Sequence, residues 1–282
     1  MIAAFDLLLH VSMIQSFAMK RKVERLAQSI TDAISKWDSV ECVALGEHSE
    51  SDVLDPYFAL VIDVYLRAAP PMVEERHGAF AKAVGQPGAF ESSASRSKDR
   101  FFIDGLPVRV EYKSVTMVDD VVGRCKGPDS QIVWIFKNSG TYMFYRLINS
   151  RILYQKSEWV QYVRRELTEL PDTFWEGLGE ACLAKMEHYL ADLGAASFSD
   201  DGYFYSVSMA GFIRYAAAAL FTANKRFEPS HRYVSTQLHE LESLPDDLLG
   251  RWETLLRSDL DISRNQKYEV AELIARSVLA LR

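Results

Sequence analysis

The stretch ECVALGEHSESDVLDPYFALVIDVY, residues 41 to 65, constrains this chain more than any other. Val40 to Leu45 is a short, mostly apolar run that ends at Gly46. A polar, acidic loop follows, and then Tyr57 to Leu66, a longer run rich in β-branched and aromatic residues that carries Asp63. Both runs read as strands. An acid inside an apolar strand is costly when unpaired, so something must sit beside Asp63.

The elements around this pair define a mixed architecture. Residues 13 to 37 read as one amphipathic helix, with Val23, Leu26, Ile30 and Ile34 near helical spacing and Lys20, Arg21 and Lys22 exposed between them. Pro70 and Pro71 start a helix over 72 to 84, because proline fits a first turn. The small, polar segment 86 to 98 reads as a mobile loop. Asp104-Gly105 turns a hairpin between 100–103 and 107–113, with Val108, Val110 and Tyr112 on one face. A helix over 115 to 124 and a short strand over 132 to 136 follow.

Beyond about residue 150 the texture is helical. Helices are expected over 158–170, 173–193, 203–221, 230–243, 246–258 and 264–281, with a turn at 197–202. The run 203 to 221 is apolar over much of its circumference and reads as the buried middle of a bundle. The expected fold class is therefore α+β: a small mixed-sheet domain over 1–150, then an antiparallel helical bundle over 151–282.

Composition narrows the functional classes. A formal net charge of -7 argues against nonspecific binding of duplex nucleic acid, which needs a basic face. Cys42, Cys125 and Cys182 are far apart and have no metal-ligand spacing; they read as reduced, buried side chains. The N-terminal segment has no basic start and carries Asp6 and His10, so it reads as a packed segment leading into a helix. No uninterrupted apolar run is long enough to span a bilayer, and the cytoplasm is the expected location.

Asp63 and Glu111 are the candidate chemical groups. Carboxylates on adjacent strands can hold Mg²⁺ for phosphoryl or nucleotidyl transfer. Alternate residues on a strand point the same way, so a paired motif would aim both acids at one metal site. Asp55-x-Tyr57 and Val61-x-Asp63 are the two registers for such a pair, and each lacks one acid. Asp55, Asp52 or Glu47 would substitute if the loop folds back. The competing readings are structural: Asp63 paired with a basic neighbour such as Arg109, and Glu111 pointing to solvent.

GEHSESDVLDPYFALVIDVYL, DRFFIDGLPVRVEYK and ANKRFEPSHRYVSTQLHELESLP together resemble the nucleotidyltransferase superfamily of the polymerase-beta type. The branch with aminoglycoside and lincosamide nucleotidyltransferases is nearest in flavour. The resemblance implies a mixed sheet with a glycine-serine phosphate loop and an acidic strand, followed by a helical bundle. Gly46 matches the family's glycine, and Glu47 departs from its serine. What the resemblance implies is a nucleotide site formed by Gly46, Glu47 and Ser49, with Lys225 and Arg226 from the bundle. Asp63 and Glu111 would be the catalytic and metal-binding acids, with Asp55 as a third metal ligand.

Two functional classes follow. One is Mg²⁺-dependent transfer of a nucleoside monophosphate from a nucleoside triphosphate to a small hydroxylated acceptor. The other is a non-catalytic descendant that binds a nucleotide or a partner protein. Three convergent acids favour the first, and one isolated acid favours the second. The pairs Arg226/His231 and Arg232/His239 also have the arginine-to-histidine spacing of HEPN ribonucleases, a spacing that arises easily by chance.

Overall fold

A computed structural model describes residues 19–46, 55, 58–127, 136, 140–199, 201–258 and 261–281. The chain divides into two compact units. The first joins the described residues up to Val122 with Arg146–Thr168; the second joins those of Gly123–Tyr145 with Glu169–Arg282. Segment 146–168 thus belongs with the sheet.

The first unit is built on a six-stranded mixed sheet. Its strands are β1 (Val40–Leu45), β2 (Leu60–Leu66), β3 (Gly88–Ser92), β4 (Lys98–Ile103), β5 (Leu106–Ser114) and β6 (Arg151–Gln155), in the spatial order β3-β4-β5-β2-β1-β6. Among the described residues only β2 and β5 pair in parallel. A parallel pair needs a crossover. Here α2 (Val73–Val84) and the β3–β4 hairpin supply it.

One face of the sheet carries the core. Val23, Ala27, Ile30 and Ile34 recur at helical spacing along α1 (19–34) and are fully buried. They join Val43 and Leu45 of β1, Ile62 and Val64 of β2, Val108 and Val110 of β5, and Phe80 of α2. On this same side, Arg76 of α2 makes a bidentate pair with Asp99 of β4 through Nε (2.8 Å) and Nη2 (2.9 Å). Tyr112 Oη donates to the same carboxylate, and Arg76 also reaches Ser92 Oγ and the Pro71 carbonyl. The pair has no solvent exposure, so its fixed partners are what make its burial tolerable.

The hairpin between β4 and β5 turns at Asp104-Gly105, where both residues have positive φ (48° and 78°). That is the two-residue turn whose twist matches paired strands. Two strands depart from the sequence expectation. β3 lies inside the segment read as a loop, and β6 lies inside the segment read as helical. Both sit at the sheet's edges, where polar, half-exposed residues are tolerated and leave no apolar run to detect. Of the strand expected over 132–136, residues 132–135 lie outside the described residues, and Phe136 is helical.

The second unit is helical. Its longest described members are α6 (Asp172–Phe198) and α7 (Gly202–Ala223), which pack side by side. Asp201 caps α7 by accepting from the Tyr203 and Phe204 amides. Gly211 lets the two helices approach: a Cβ there would lie 2.3 Å from the Tyr189 ring. α8 (Val234–Leu238), α9 (Leu248–Leu256) and α10 (Arg264–Leu279) complete the unit, and a Ser263–Gln266 capping box opens α10. The helix expected over 230–243 is reduced to the single short α8.

By length and mean hydropathy α7 is apolar enough to cross a membrane, although Arg214 interrupts its apolar run. Its C-terminal half from Tyr215 to Thr222 is buried inside the unit, which explains its composition. The fold is α+β, a mixed sheet with its helices together with a helical unit.

Candidate functional site

The polar face of the sheet holds the candidate site. β2 and β5 run parallel in a register that places Asp63 beside Glu111, Val61 beside Arg109 and Tyr65 beside Lys113. β5 alternates Val108, Val110 and Tyr112 toward the core with Arg109, Glu111 and Lys113 toward the other face. Opposite them on β4, Lys98 stands across from Glu111 and Arg100 across from Arg109. The two candidate acids therefore do come together on neighbouring strands.

They come together already occupied. Arg146, on α4 (Tyr142–Asn149), bridges the two carboxylates: Nη2 donates to Asp63 Oδ1 at 2.5 Å and Nη1 donates to Glu111 Oε2 at 2.8 Å. Lys113 Nζ lies 2.9 Å from Asp63 Oδ2, an ion pair without hydrogen-bond alignment. Lys98 Nζ lies 3.1 Å from Glu111 Oε1. All four carboxylate oxygens thus face a protein cation. Asp63 is fully buried, whereas Glu111 keeps about 15% of its side chain exposed.

The cluster perturbs its members. Burial works to raise the Glu111 carboxyl, but the charges of Arg146, Lys113 and Lys98 together hold it below the usual glutamate value. Burial lowers the Lys113 ammonium, and Arg146 adds to that, while Asp63 opposes it. Tyr65 is pushed well up by burial and by the neighbouring Asp63 charge. Burial likewise pushes the Cys42 thiol up to about 12, so Cys42 is inert.

The local structure fixes Arg146 in place. Arg164, on α5 (Trp159–Thr168), donates to the Leu147 carbonyl (2.9 Å) and the Ser150 carbonyl (2.5 Å), satisfying the open C-terminal end of α4. Trp159 packs its ring 5.2 Å from that of Tyr65 and donates Nε1–H to Asp119 of α3 (Val115–Lys126). Arg146 and α5 are thereby held at the polar face.

These residues do not fit a Mg²⁺ site. Such a site needs carboxylate oxygens free to accept the ion, and here each faces Arg146, Lys113 or Lys98. Among the described residues no three His, Cys, Asp or Glu side chains gather to hold a metal, so Asp55 does not complete a set with Asp63 and Glu111. The Asp55 backbone carbonyl accepts the Phe58 amide at 2.9 Å. The pairing of Asp63 with Arg109 is replaced by pairing with Lys113 and Arg146; Arg109 stands one rung away, beside Val61. Glu111 does not point freely to solvent.

Gly46 follows β1 beside that same rung. Its amide donates to the Val61 carbonyl at 2.9 Å, and a Cβ would lie 3.3 Å from that oxygen. With strands about 4.8 Å apart, Gly46 and Arg109 are separated by roughly 10 Å across β2. Arg109 and its cross-strand neighbour Arg100 have no ion-pair partner among the described residues. Glu47 and Ser49 lie outside the described residues.

Lys225 and Arg226 belong to the helical unit. Lys225, at positive φ (50°), pairs with Asp172 at 2.7 Å. Arg226 reaches the Glu240 carbonyl (3.2 Å) and lies 3.7 Å from its carboxylate. Arg226 and His231 both fall in a non-helical stretch, so their spacing does not set them on one helical face.

Sequence reasoning missed Lys98, Lys113 and Arg146. Lys113 was accessible to it, as the next same-face residue after Glu111. Arg146 was not, since it lies 83 residues from Asp63 with no pattern linking the two.

No protein-family model matches this chain, and no curated protein matches it. Among solved structures it is similar to a nucleotidyltransferase-like protein from Exiguobacterium sibiricum 255-15, at 11% sequence identity and a TM-score of 0.48. That likeness covers 91% of this chain and 74% of the other, and at such a distance it assigns nothing to the site. Fold and site define an α+β chain with a charge-compensated carboxylate pair on one sheet face.

Proposed function

We propose that this chain is a non-catalytic, nucleotidyltransferase-like protein that binds the phosphates of a nucleotide with its own cations in place of Mg²⁺. The observation that carries the reading is Arg146, which lies between Asp63 and Glu111 where shared metal ions would have to bind. Lys98, Lys113 and Arg146 outnumber the two acids they face, so the cluster keeps a net positive charge. Arg100 and Arg109 extend that charge along the face toward the end of the sheet where Gly46 follows β1. Guanidinium groups suit phosphate because their forked donors match its oxygens.

The alternative, Mg²⁺-dependent transfer from a nucleoside triphosphate to a small hydroxylated acceptor, draws on the side-by-side placement of Asp63 and Glu111. It requires Arg146 to leave both carboxylates. Isothermal titration with ATP, GTP, CTP and UTP tests the first reading. Arg109→Ala together with Arg100→Ala should weaken binding at least about tenfold, or 1.4 kcal/mol, with the melting temperature unchanged. Unaltered affinity in that double variant would remove the support that the stripe of arginines gives.

A further inference from the structure

The helical unit holds a cavity of its own, of about 310 Å³, whose lining includes Gly140, Tyr142, Arg214, Glu228, Pro229 and His231. Cavities from roughly 300 Å³ upward accommodate small-molecule ligands. Glu228 is built into its wall. The chain enters through Phe227, whose ring packs 5.3 Å from Phe144 and 5.0 Å from Trp175. The Glu228 amide donates to Thr141 Oγ1 at 2.8 Å, and the Thr141 amide donates back to Glu228 Oε2 at 3.1 Å.

Gly140 makes room for this exchange. It has φ of 70°, and a Cβ there would lie 2.8 Å from Oε2. One carboxylate oxygen is therefore fixed by the backbone, while Oε1 has no hydrogen-bond partner among the described residues. Burial pushes the Glu228 carboxyl up, and the Thr141 amide, Arg214 and His231 offset that only in part. A desolvated carboxyl in this state gains from a ligand that brings a cation to it. Arg214, set 5.4 Å from the Tyr215 ring, brings the opposite charge to the same cavity, and the His231 ring lines it too.

We propose that this cavity binds a small zwitterion of the free amino acid class. The ligand's ammonium meets Glu228 Oε1, its carboxylate meets Arg214 with His231 beside it, and its remaining atoms lie along Tyr142. The inference is independent of the nucleotide reading, which concerns the sheet unit.

The test uses the intact chain. Free amino acids are screened by thermal shift, and the best binder is titrated calorimetrically beside its N-acetyl and carboxamide derivatives. The parent should bind, and each derivative should bind at least about tenfold more weakly, or 1.4 kcal/mol. Glu228→Gln keeps an acceptor for the Thr141 amide and should lose tenfold or more in affinity without a fall in melting temperature. Arg214→Ala should lose a similar factor. The proposal is overturned if no free amino acid binds at about 10 mM, a concentration well above a millimolar dissociation constant. It is equally overturned if the N-acetyl derivative matches the parent, or if Glu228→Gln binds as the parent protein does.

Discussion

Arg146→Met is the substitution whose cost is best defined. It removes the donors at 2.5 Å to Asp63 and 2.8 Å to Glu111 while keeping most of the side chain's length. Each charge-assisted hydrogen bond contributes about 1.5–3 kcal/mol, and breaking a buried ion pair at one partner costs about 3–5 kcal/mol. Two features reduce the loss: Lys113 still compensates Asp63, and Lys98 still compensates Glu111, which is partly exposed. A loss of about 2–4 kcal/mol remains. Urea unfolding followed by tryptophan fluorescence measures it, with Trp159 packed against Tyr65 as a reporter next to the cluster. The loss should shrink as pH falls. The Glu111 carboxyl is held below 4.5 in the folded protein, so its contribution is present above that value and disappears as pH falls through the folded one. A loss below about 0.5 kcal/mol at neutral pH, the range of an ordinary surface substitution, would refute the reasoning.

Other outcomes are equally specific. Asp99→Asn leaves the Arg76 guanidinium buried without its bidentate partner, and should cost about 3–5 kcal/mol in urea unfolding while leaving nucleotide affinity in the surviving folded protein unchanged. Glu228→Gln should stabilise the protein at neutral pH. A carboxyl whose folded value is raised favours folding at low pH, and that advantage is lost as pH rises from 4.5 through the raised value. Melting curves from about pH 4 to pH 8 should therefore show the two proteins converging at the acid end and the variant ahead at the alkaline end.

Much of the fold is legible in the sequence because it is set locally. The 23, 27, 30, 34 spacing marks the buried face of α1, and Asp104-Gly105 marks the β4–β5 turn. The apolar runs at β1 and β2 mark central strands. β3 and β6 escaped because edge strands bury little, and their pairing is decided by partners far along the chain. The site shows the same division. Alternation along β5 placed Glu111, and the acid in β2 flagged Asp63 as needing a partner. Which partner it took depended on where Arg146 packs against the sheet face, and no local pattern around Arg146 encodes that. The same packing changes the chemistry the acids offer, from metal ligands to members of an ion-pair cluster.

The most direct measurement is the affinity of the intact protein for a nucleoside triphosphate, determined by titration calorimetry in EDTA and again with excess Mg²⁺, with pyrophosphate release followed in parallel. Binding through Lys98, Lys113, Arg146, Arg100 and Arg109 predicts an affinity in EDTA at least equal to that with Mg²⁺, a decline with added salt, and no pyrophosphate under either condition. Binding that appears only with Mg²⁺, accompanied by pyrophosphate release, would contradict the account.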